Sequence, residues 1–385
     1  MTIVVVGSGV FGITAALELR ARGWTVTVID SVAVPARTAA STDISKVVRA
    51  DYGDDELYVE MAEASLEGWE RWNARWDAAL YHQDGFLLLS MGAMEPGGYE
   101  YESFALLTKR GHQPQRLDPR TRRHRFPAWS ADRYPDGYFN PRAGWVESGK
   151  VVERLVHDAR AAGIRVLERT QFARFIESGT SIVGVKTKDS GELRADRVLL
   201  AAGAWTPSLL PHLGGVMWTT GQPVVHFAVQ DPERWRPPGF PVWAADIART
   251  GWYGFPALRD GTLKIGRHGA GRRVDPDEPR AISASECAPF REFLRDSLPA
   301  LADVPIVESR LCLYCDTFDG NFWIDHDPDR PGLIVAAGDS GHGFKFAPIL
   351  GSLIADIVER RQNPWAERFA WRVRHRDSKE AARAL

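Results

Sequence analysis

The sequence predicts an α/β architecture, in which a Rossmann-type dinucleotide-binding domain carries an inserted, mostly antiparallel β-sheet. Three observations lead there. A buried-strand run at Thr2–Val6 opens directly into Gly7-Ser8-Gly9-Val10-Phe11-Gly12 and then into a stretch of helical period. Near the other end, the apolar run Leu333–Ala337 opens into a second glycine-rich turn, Gly338-Asp339-Ser340-Gly341-His342-Gly343. Between them, residues 221–320 are mostly strand-like, broken by turns such as Arg259-Asp260-Gly261 and by a helix near 285–298. Both ends have α/β character, so the nucleotide domain is expected to be discontinuous, comprising 1–83, 141–220 and 321–385, with 84–140 and 221–320 forming the second domain.

The elements follow in order. Residues 13–22 place apolar side chains at 13, 16, 17 and 19, the stripe of a helix packed on a sheet, and Gly23 ends it. Trp24–Ile29 reads as a second strand closed by Asp30, which completes a βαβ opening. A helix is expected over 55–76 and a strand over 85–90, after which Gly, Pro and Arg become frequent to about 142. Helix is expected again over 151–162 and strand over 164–167. The alternation in 172–176 and 182–186 suggests a hairpin, and 197–202 a buried strand. A last helix is expected from about 347 to 361.

Composition narrows the function. The chain has 385 residues, 48 basic against 50 acidic, and 44% hydrophobic residues, an ordinary globular balance with no electrostatic footprint for nucleic acid or an anionic membrane. No apolar run approaches the roughly 20 residues that cross a bilayer. The first strand starts at Thr2 and the chain ends Ala-Arg-Ala-Leu, so neither a targeting segment nor a peroxisomal address is read, and a cytoplasmic location is expected. Three cysteines cannot make a disulfide framework. Only eight of the basic residues are lysines (46, 109, 150, 186, 188, 264, 345 and 379), so a lysine inside a motif points to a use for its compact ammonium.

In Gly7-x-Gly9-x-x-Gly12 the first glycine makes a tight turn, the second admits a pyrophosphate, and the third lets helix and strand pack closely. Asp30, 18 residues past Gly12, is placed to accept from ribose hydroxyls and to repel a 2′-phosphate. This motif alone does not separate FAD from NAD. The turn at 338–343 could present amides to an anionic group, or be a plain strand-to-helix connection.

Taken with Ala201-Ala202-Gly203-Ala204-Trp205, Leu311-Cys312-Leu313-Tyr314 and Gly341-His342-Gly343-Phe344-Lys345-Phe346, in that order, the chain resembles the monomeric sarcosine oxidase family of FAD-dependent amine oxidases. That family includes N-methyltryptophan, pipecolate, saccharopine and fructosyl amino acid oxidases. The resemblance spans nearly the whole chain. It implies FAD as cofactor, held by Gly7 to Gly12, Asp30, Ser31, Ser41, Thr42, Lys46, Phe172, Ala202, Gly203, Trp205 and Gly341 to Lys345, and joined covalently to Cys312. Cys312-x-x-Cys315 could instead be a redox or metal pair, but on a strand the two side chains face opposite ways, and no metal site is expected. The resemblance also implies that Arg49 binds a substrate carboxylate with help from Lys345. It further implies that Lys264 promotes reaction with oxygen and that Tyr253, His268 and Tyr314 shape the substrate cavity.

Lys46 and Arg49 lie three apart and would point together if that stretch were helical or a tight turn. Lys264 alternates with apolar neighbours, as on a half-buried strand. Ser41-Thr42 stands where sarcosine oxidases carry two histidines and Lys46 where they carry an arginine, which brings the chain nearer the fructosyl amine and saccharopine or pipecolate branches. Trp218, Trp243, Trp252 and Phe255 could wall a larger amine, or simply be core. The expected activity is oxidation of the C–N bond of a secondary or cyclic amino acid by a monomer, with O₂ as acceptor. The alternatives are a flavin dehydrogenase with another acceptor, and a flavin-binding module without catalysis.

Overall fold

The computed structural model describes residues 1–130, 132–189, 191–374 and 382–384. Its first layer is a six-stranded sheet ordered Trp323–His326, Leu333–Ala337, Arg197–Leu200, Thr2–Val6, Thr25–Ile29, Arg165–Leu167. All neighbours are parallel except the edge strand Trp323–His326. Alternation along Thr2–Val6 explains how the sheet is covered. Ile3 and Val5 face the helices Val10–Ala21, Ser148–Ala161 and Ala347–Val358. Val4 and Val6 face Phe175, Ile182 and Val185 of the antiparallel sheet over 172–194.

The second layer system is a nine-stranded sheet built from 86–140 and 217–317. Its spine is the pair Met217–Ala228 and Ile306–Thr317, antiparallel in register from Met217 against Thr317 to Phe227 against Ile306. Thr262–Arg267 lies on the other side of Met217–Ala228, followed by Trp252–Gly254 and Val242–Ala245. The sheet is mostly antiparallel, as expected, with one parallel pair where Val242–Ala245 meets Phe86–Ser90. Aromatic and aliphatic residues such as Phe227, Trp243, Phe290 and Leu294 pack between this sheet and the helix Ala284–Ser297.

Two expectations need correction. The stretch holding Lys46 and Arg49 is extended, not helical: Lys46–Val48 is a short strand paired with Gly144–Val146, where β-branched Val47 and Val48 suit a pleated surface. The region after Ser90 is more regular than its Gly, Pro and Arg content suggested. It contains the helix Tyr99–Lys109, whose buried Tyr99, Ser103, Leu106 and Leu107 follow an i, i+4, i+7, i+8 stripe that the sequence displays. The helix Glu56–Trp76 is capped at Asp55, whose carboxylate accepts from the Tyr58 amide at 3.1 Å.

Candidate active site

A cavity of about 270 Å³ runs along the C-terminal ends of the parallel strands, where the six-stranded sheet meets the nine-stranded one. Gly7, Ser8, Gly9, Val10, Phe11, Asp30, Ser31, Ser41, Lys46, Phe172, Ala202, Gly203, Trp205, Gly341, Gly343 and Phe344 all line it. Gly7 has φ +105°, and a Cβ there would run into the Ala201 carbonyl, so this turn admits glycine alone. Gly12 lies behind the turn instead, where a side chain would strike the Gly7 carbonyl; it serves helix–strand packing. One oxygen of Asp30 accepts from the Ser8 amide at 2.9 Å and the Ser8 hydroxyl at 2.6 Å, which holds the carboxylate at the cavity edge. The Val10 amide, in the first turn of the helix, donates to Ser41 Oγ at 3.0 Å. A glycine turn, an acidic residue ending the second strand and a helix N-terminus on one elongated cavity fit a dinucleotide such as FAD.

Five residues expected at the cofactor do not line this cavity: Gly12, packed behind the turn, Lys345, which lines an adjoining chamber, and Thr42, His342 and Cys312. Thr42 turns its hydroxyl to the Ala36 and Ala39 carbonyls. His342 hydrogen-bonds Tyr52 OH and the Gly320 carbonyl, each at 3.0 Å, and packs against Phe322. Cys312 is 5% exposed on the same strand face as Tyr314, with its Sγ 4.0 Å from Lys46 Nζ. Cys315 faces the opposite way, into a separate cluster, as alternation requires. Sequence reasoning missed Ala36, Thr38, Ala39 and Ala40, Asp277 and Asp339 among the lining residues. Only Asp339, inside a motif, offered a signal.

A second chamber of about 60 Å³ adjoins the first and shares Lys46, Tyr314, Gly341 and Phe344 with it. Arg49, Tyr253, Lys264, His268, Tyr314 and Lys345 all line it. Of the four aromatic candidates Trp243 and Phe255 line it as well, whereas Trp252 packs on Phe290 and Phe293, and Trp218 lies under Arg273. Lys46, Arg49, Lys264 and Lys345 bring four cationic groups to this lining, and among the described lining residues none is a carboxylate.

Each cation is held. Arg49 Nη1 donates to Tyr99 OH at 2.6 Å, and its guanidinium sits 5.4, 5.7 and 5.9 Å from the ring centres of Tyr52, Phe86 and Tyr99. Lys345 Nζ donates to Tyr52 OH at 2.8 Å and to the His342 carbonyl at 2.9 Å. Tyr52 is thereby left to donate to His342 Nδ1, whose ring donates from Nε2 to Gly320 O. Behind Lys345, Ser65 Oγ and Trp69 Nε1 of the helix Glu56–Trp76 both donate to its carbonyl, at 2.5 and 2.8 Å. Two separate elements therefore anchor one lysine.

Lys264 is 1% exposed, more deeply buried than its alternation implied. Its ammonium lies 2.6 Å from Asp43 Oδ2, donates to the Ser45 carbonyl at 2.6 Å and sits 4.7 Å above the Phe255 ring. Burial pulls its pKa down to about 8, with Asp43 opposing the shift and Lys46 adding to it. Burial disfavours the Asp43 charge, yet Lys264, His226, Lys46 and Arg310 together hold that carboxyl well below its usual value. Tyr253 and Tyr314 are hydrogen-bonded to each other, and burial raises the pKa of both phenols.

Fold and site together define a dinucleotide-dependent redox enzyme in which the cofactor channel ends at a small cation-lined chamber. Residues 2–357 match the FAD dependent oxidoreductase (DAO) family, and the chain belongs to it. The chain is thus an FAD-dependent oxidoreductase. It is 26% identical over 361 residues to a monomeric sarcosine oxidase of Bacillus sp. (strain B-0618), covering 92% of this chain and 91% of that one. It is 29% identical over 370 residues to an N-methyl-L-tryptophan oxidase of Salmonella dublin, covering 92% and 94%. A crystal structure of a thermally stable fructosyl peptide oxidase mutant superposes with a TM-score of 0.87 at 22% identity, over 100% of this chain and 96% of that one. The fructosamine oxidase Amadoriase II of Aspergillus fumigatus superposes with a TM-score of 0.84 at 25% identity, over 96% and 89%. No helix of the described residues is long and apolar enough to cross a membrane, and no cluster of them could hold a metal.

Proposed function

We propose that this protein oxidises the C–N bond of a small secondary or cyclic amino acid, with O₂ as electron acceptor. The observation that carries the reading is the chamber itself: four cations, no carboxylate among the described lining residues and an aromatic wall, opening onto the dinucleotide channel. Such a lining attracts a carboxylate and an apolar body while repelling a free ammonium group. Relatives whose names specify sarcosine and N-methyl-L-tryptophan support the same class.

Bound FAD supplies the two-electron acceptor in the channel lined by Gly7, Asp30 and Gly341. The residues of the chain do the rest. Arg49 grips the substrate carboxylate with its planar fork, and Lys345, fixed from behind by Ser65 and Trp69, adds a point charge. Tyr253, His268 and Tyr314 close the chamber around the amine. A hydride equivalent leaves the carbon next to nitrogen, and the resulting imine is hydrolysed by water. O₂ takes up both electrons and two protons as H₂O₂, and the Lys264 ammonium stabilises the negative charge that builds on oxygen. Cys312 is the attachment point for a covalent flavin: its face and its nearness to Lys46, which lines both cavities, support this.

The reading further divides the chain into an FAD-binding domain (1–83, 141–220 and 321–385) and a substrate domain (84–140 and 221–320), acting as a monomer in the cytoplasm. All three cysteines are unpaired, which suits a reducing compartment.

The deciding experiment is acid precipitation of the purified yellow protein, followed by anaerobic mixing with a panel of secondary amino acids. Yellow colour in the washed pellet that disappears in Cys312→Ala establishes the covalent link; colour in the supernatant removes it. Bleaching of the flavin by at least one carboxylated amine, with H₂O₂ formed on admitting air, is the expected outcome. A flavin that no member of the panel bleaches overturns the amine oxidase reading.

A further inference from the structure

We propose that Arg383 is a positioning residue for the amine chamber, and that residues 382–384 hold its wall from outside. The inference rests on that chamber being the substrate site. Ala382, Arg383 and Ala384 are buried, at 0, 8 and 1% exposure. The Arg383 guanidinium makes a two-pronged pair with Asp316, Nη1 to Oδ1 and Nη2 to Oδ2, each at 2.6 Å. Its third edge, Nε, donates to the Gly269 carbonyl at 2.9 Å, and the Ala384 amide donates to the His268 carbonyl at 3.1 Å.

These contacts converge on two chamber residues. Asp316 follows Tyr314 by two on the strand Ile306–Thr317, so both sit in the row that begins at Cys312. The Arg383 guanidinium carbon is 5.9 Å from the Tyr314 ring centre, and the His268 ring is 5.9 Å from that same ring. His268 lies just beyond the end of the strand Thr262–Arg267, where sheet pairing no longer sets the path of the chain. Four bonds replace it: the His268 amide donates to Gly251 O at 2.7 Å, Ala384 donates to His268 O, and Gly269 O accepts from both Arg383 and Gln222 Nε2, the latter at 2.6 Å. None of 382–384 is among the lining residues, so the segment acts through His268 and Tyr314 and not on the substrate directly.

A buried ion pair of this kind adds little net stability compared with apolar packing, but it dictates geometry strongly, because neither charge tolerates losing its partner. Here the geometry dictated is the separation between His268 and Tyr314. Loosening it should weaken the hold on a small amine far more than the electron transfer that follows.

The test uses the full-length holoenzyme, Arg383→Ala, and deletion of 382–385. Because Arg383→Ala leaves Asp316 as a lone buried charge, the pair variant Arg383→Ala with Asp316→Ala is made as well. Amide hydrogen exchange over 264–271 and 311–317 is measured without substrate. Steady-state kinetics are run with sarcosine and with N-methyl-L-tryptophan. The expected result is faster exchange in both segments at unchanged flavin content. KM for an accepted amine should rise roughly tenfold or more, with kcat moving far less, and the preference between the two amines should change. Unchanged exchange at 264–271 overturns the proposal. So does faster exchange with unchanged KM and preference, which would make the segment merely structural. A deletion that lowers KM for both amines also overturns it, since 382–384 would then obstruct the chamber instead of holding it. If neither amine bleaches the flavin of the unaltered enzyme, the kinetics are run with two amines of the panel that do; if no member of the panel does, the proposed function fails, and hydrogen exchange alone decides whether 382–384 hold the wall.

Discussion

The Lys264 ammonium, 2.6 Å from Asp43 and sealed from water, is at once a buried charge and a titratable one. Burial favours its neutral form, so the proton leaves as pH rises through about 8 instead of near the ordinary lysine value. If the cation assists oxygen, the oxygen-dependent half of turnover should slow above about pH 8 while the anaerobic half does not. Lys264→Met should reproduce the slow state at every pH, with a loss of roughly 100-fold or more, on the scale of removing one preorganised charge. Stopped-flow measurement of the two halves separately checks both statements, and equal slowing of both halves would remove the role. Arg49 makes a different prediction. Arg49→Met should raise KM for carboxylated amines by roughly tenfold to several hundredfold, the range for losing a charge-assisted bond. It should leave a decarboxylated analogue nearly unaffected, and the ratio of kcat/KM values for the two substrates reads this directly.

Among the elements, the loop 338–346 and the strand Ile306–Thr317 meet where the two cavities adjoin, the loop bringing Gly341, Phe344 and Lys345 and the strand Tyr314. Gly341 has φ +80°, and a Cβ there would meet the Tyr314 ring; the loop approaches the strand this closely because the residue is glycine. Gly341→Ala should therefore displace Tyr314, one of the four residues common to both cavities. An unfavourable backbone of this kind costs about 1–3 kcal/mol. The expected outcome is a lowered Tm together with flavin released during gel filtration when Cys312 is also replaced by Ala. An unchanged Tm and full flavin retention would mean that the loop relaxes freely. The helix Glu56–Trp76 has a quieter part, since Ser65 and Trp69 spend their donors on the Lys345 carbonyl and thereby set the direction of that side chain.

Over the whole molecule, the dinucleotide channel is assembled from residues within 6–46, 170–172, 201–209 and 313–344 together with Asp277, which meet only in the folded chain. A cofactor bound there binds the native state alone, so its binding free energy adds to stability. In Cys312→Ala, which lacks the proposed covalent link, adding FAD to the flavin-free protein at about a thousand times its Kd should stabilise the fold by about 4 kcal/mol. Differential scanning fluorimetry should show that as a rise in Tm of several degrees that scales with FAD concentration. A Tm insensitive to FAD would separate cofactor binding from the integrity of the fold.

Much of this was legible in the amino-acid order because it depends on local periodicity and local sterics. Gly7, Gly9, Gly12 and Asp30 announce a dinucleotide turn because small residues suit its tight backbone and an acidic side chain suits a ribose. Alternation along 311–315 separates Cys312 from Cys315 before any fold is known, and all six residues expected at the chamber do line it. What only the tertiary structure decided is which distant group each side chain meets. Lys264 finds Asp43, Arg49 finds Tyr99 on a helix the composition concealed, and His342 turns from the cofactor channel toward Tyr52. Arg383 reaches Asp316 across the chain. Periodicity gives the face on which a residue lies, whereas its partner depends on how two sheets with distant strands are set against each other, and that information is carried by no single stretch of the chain.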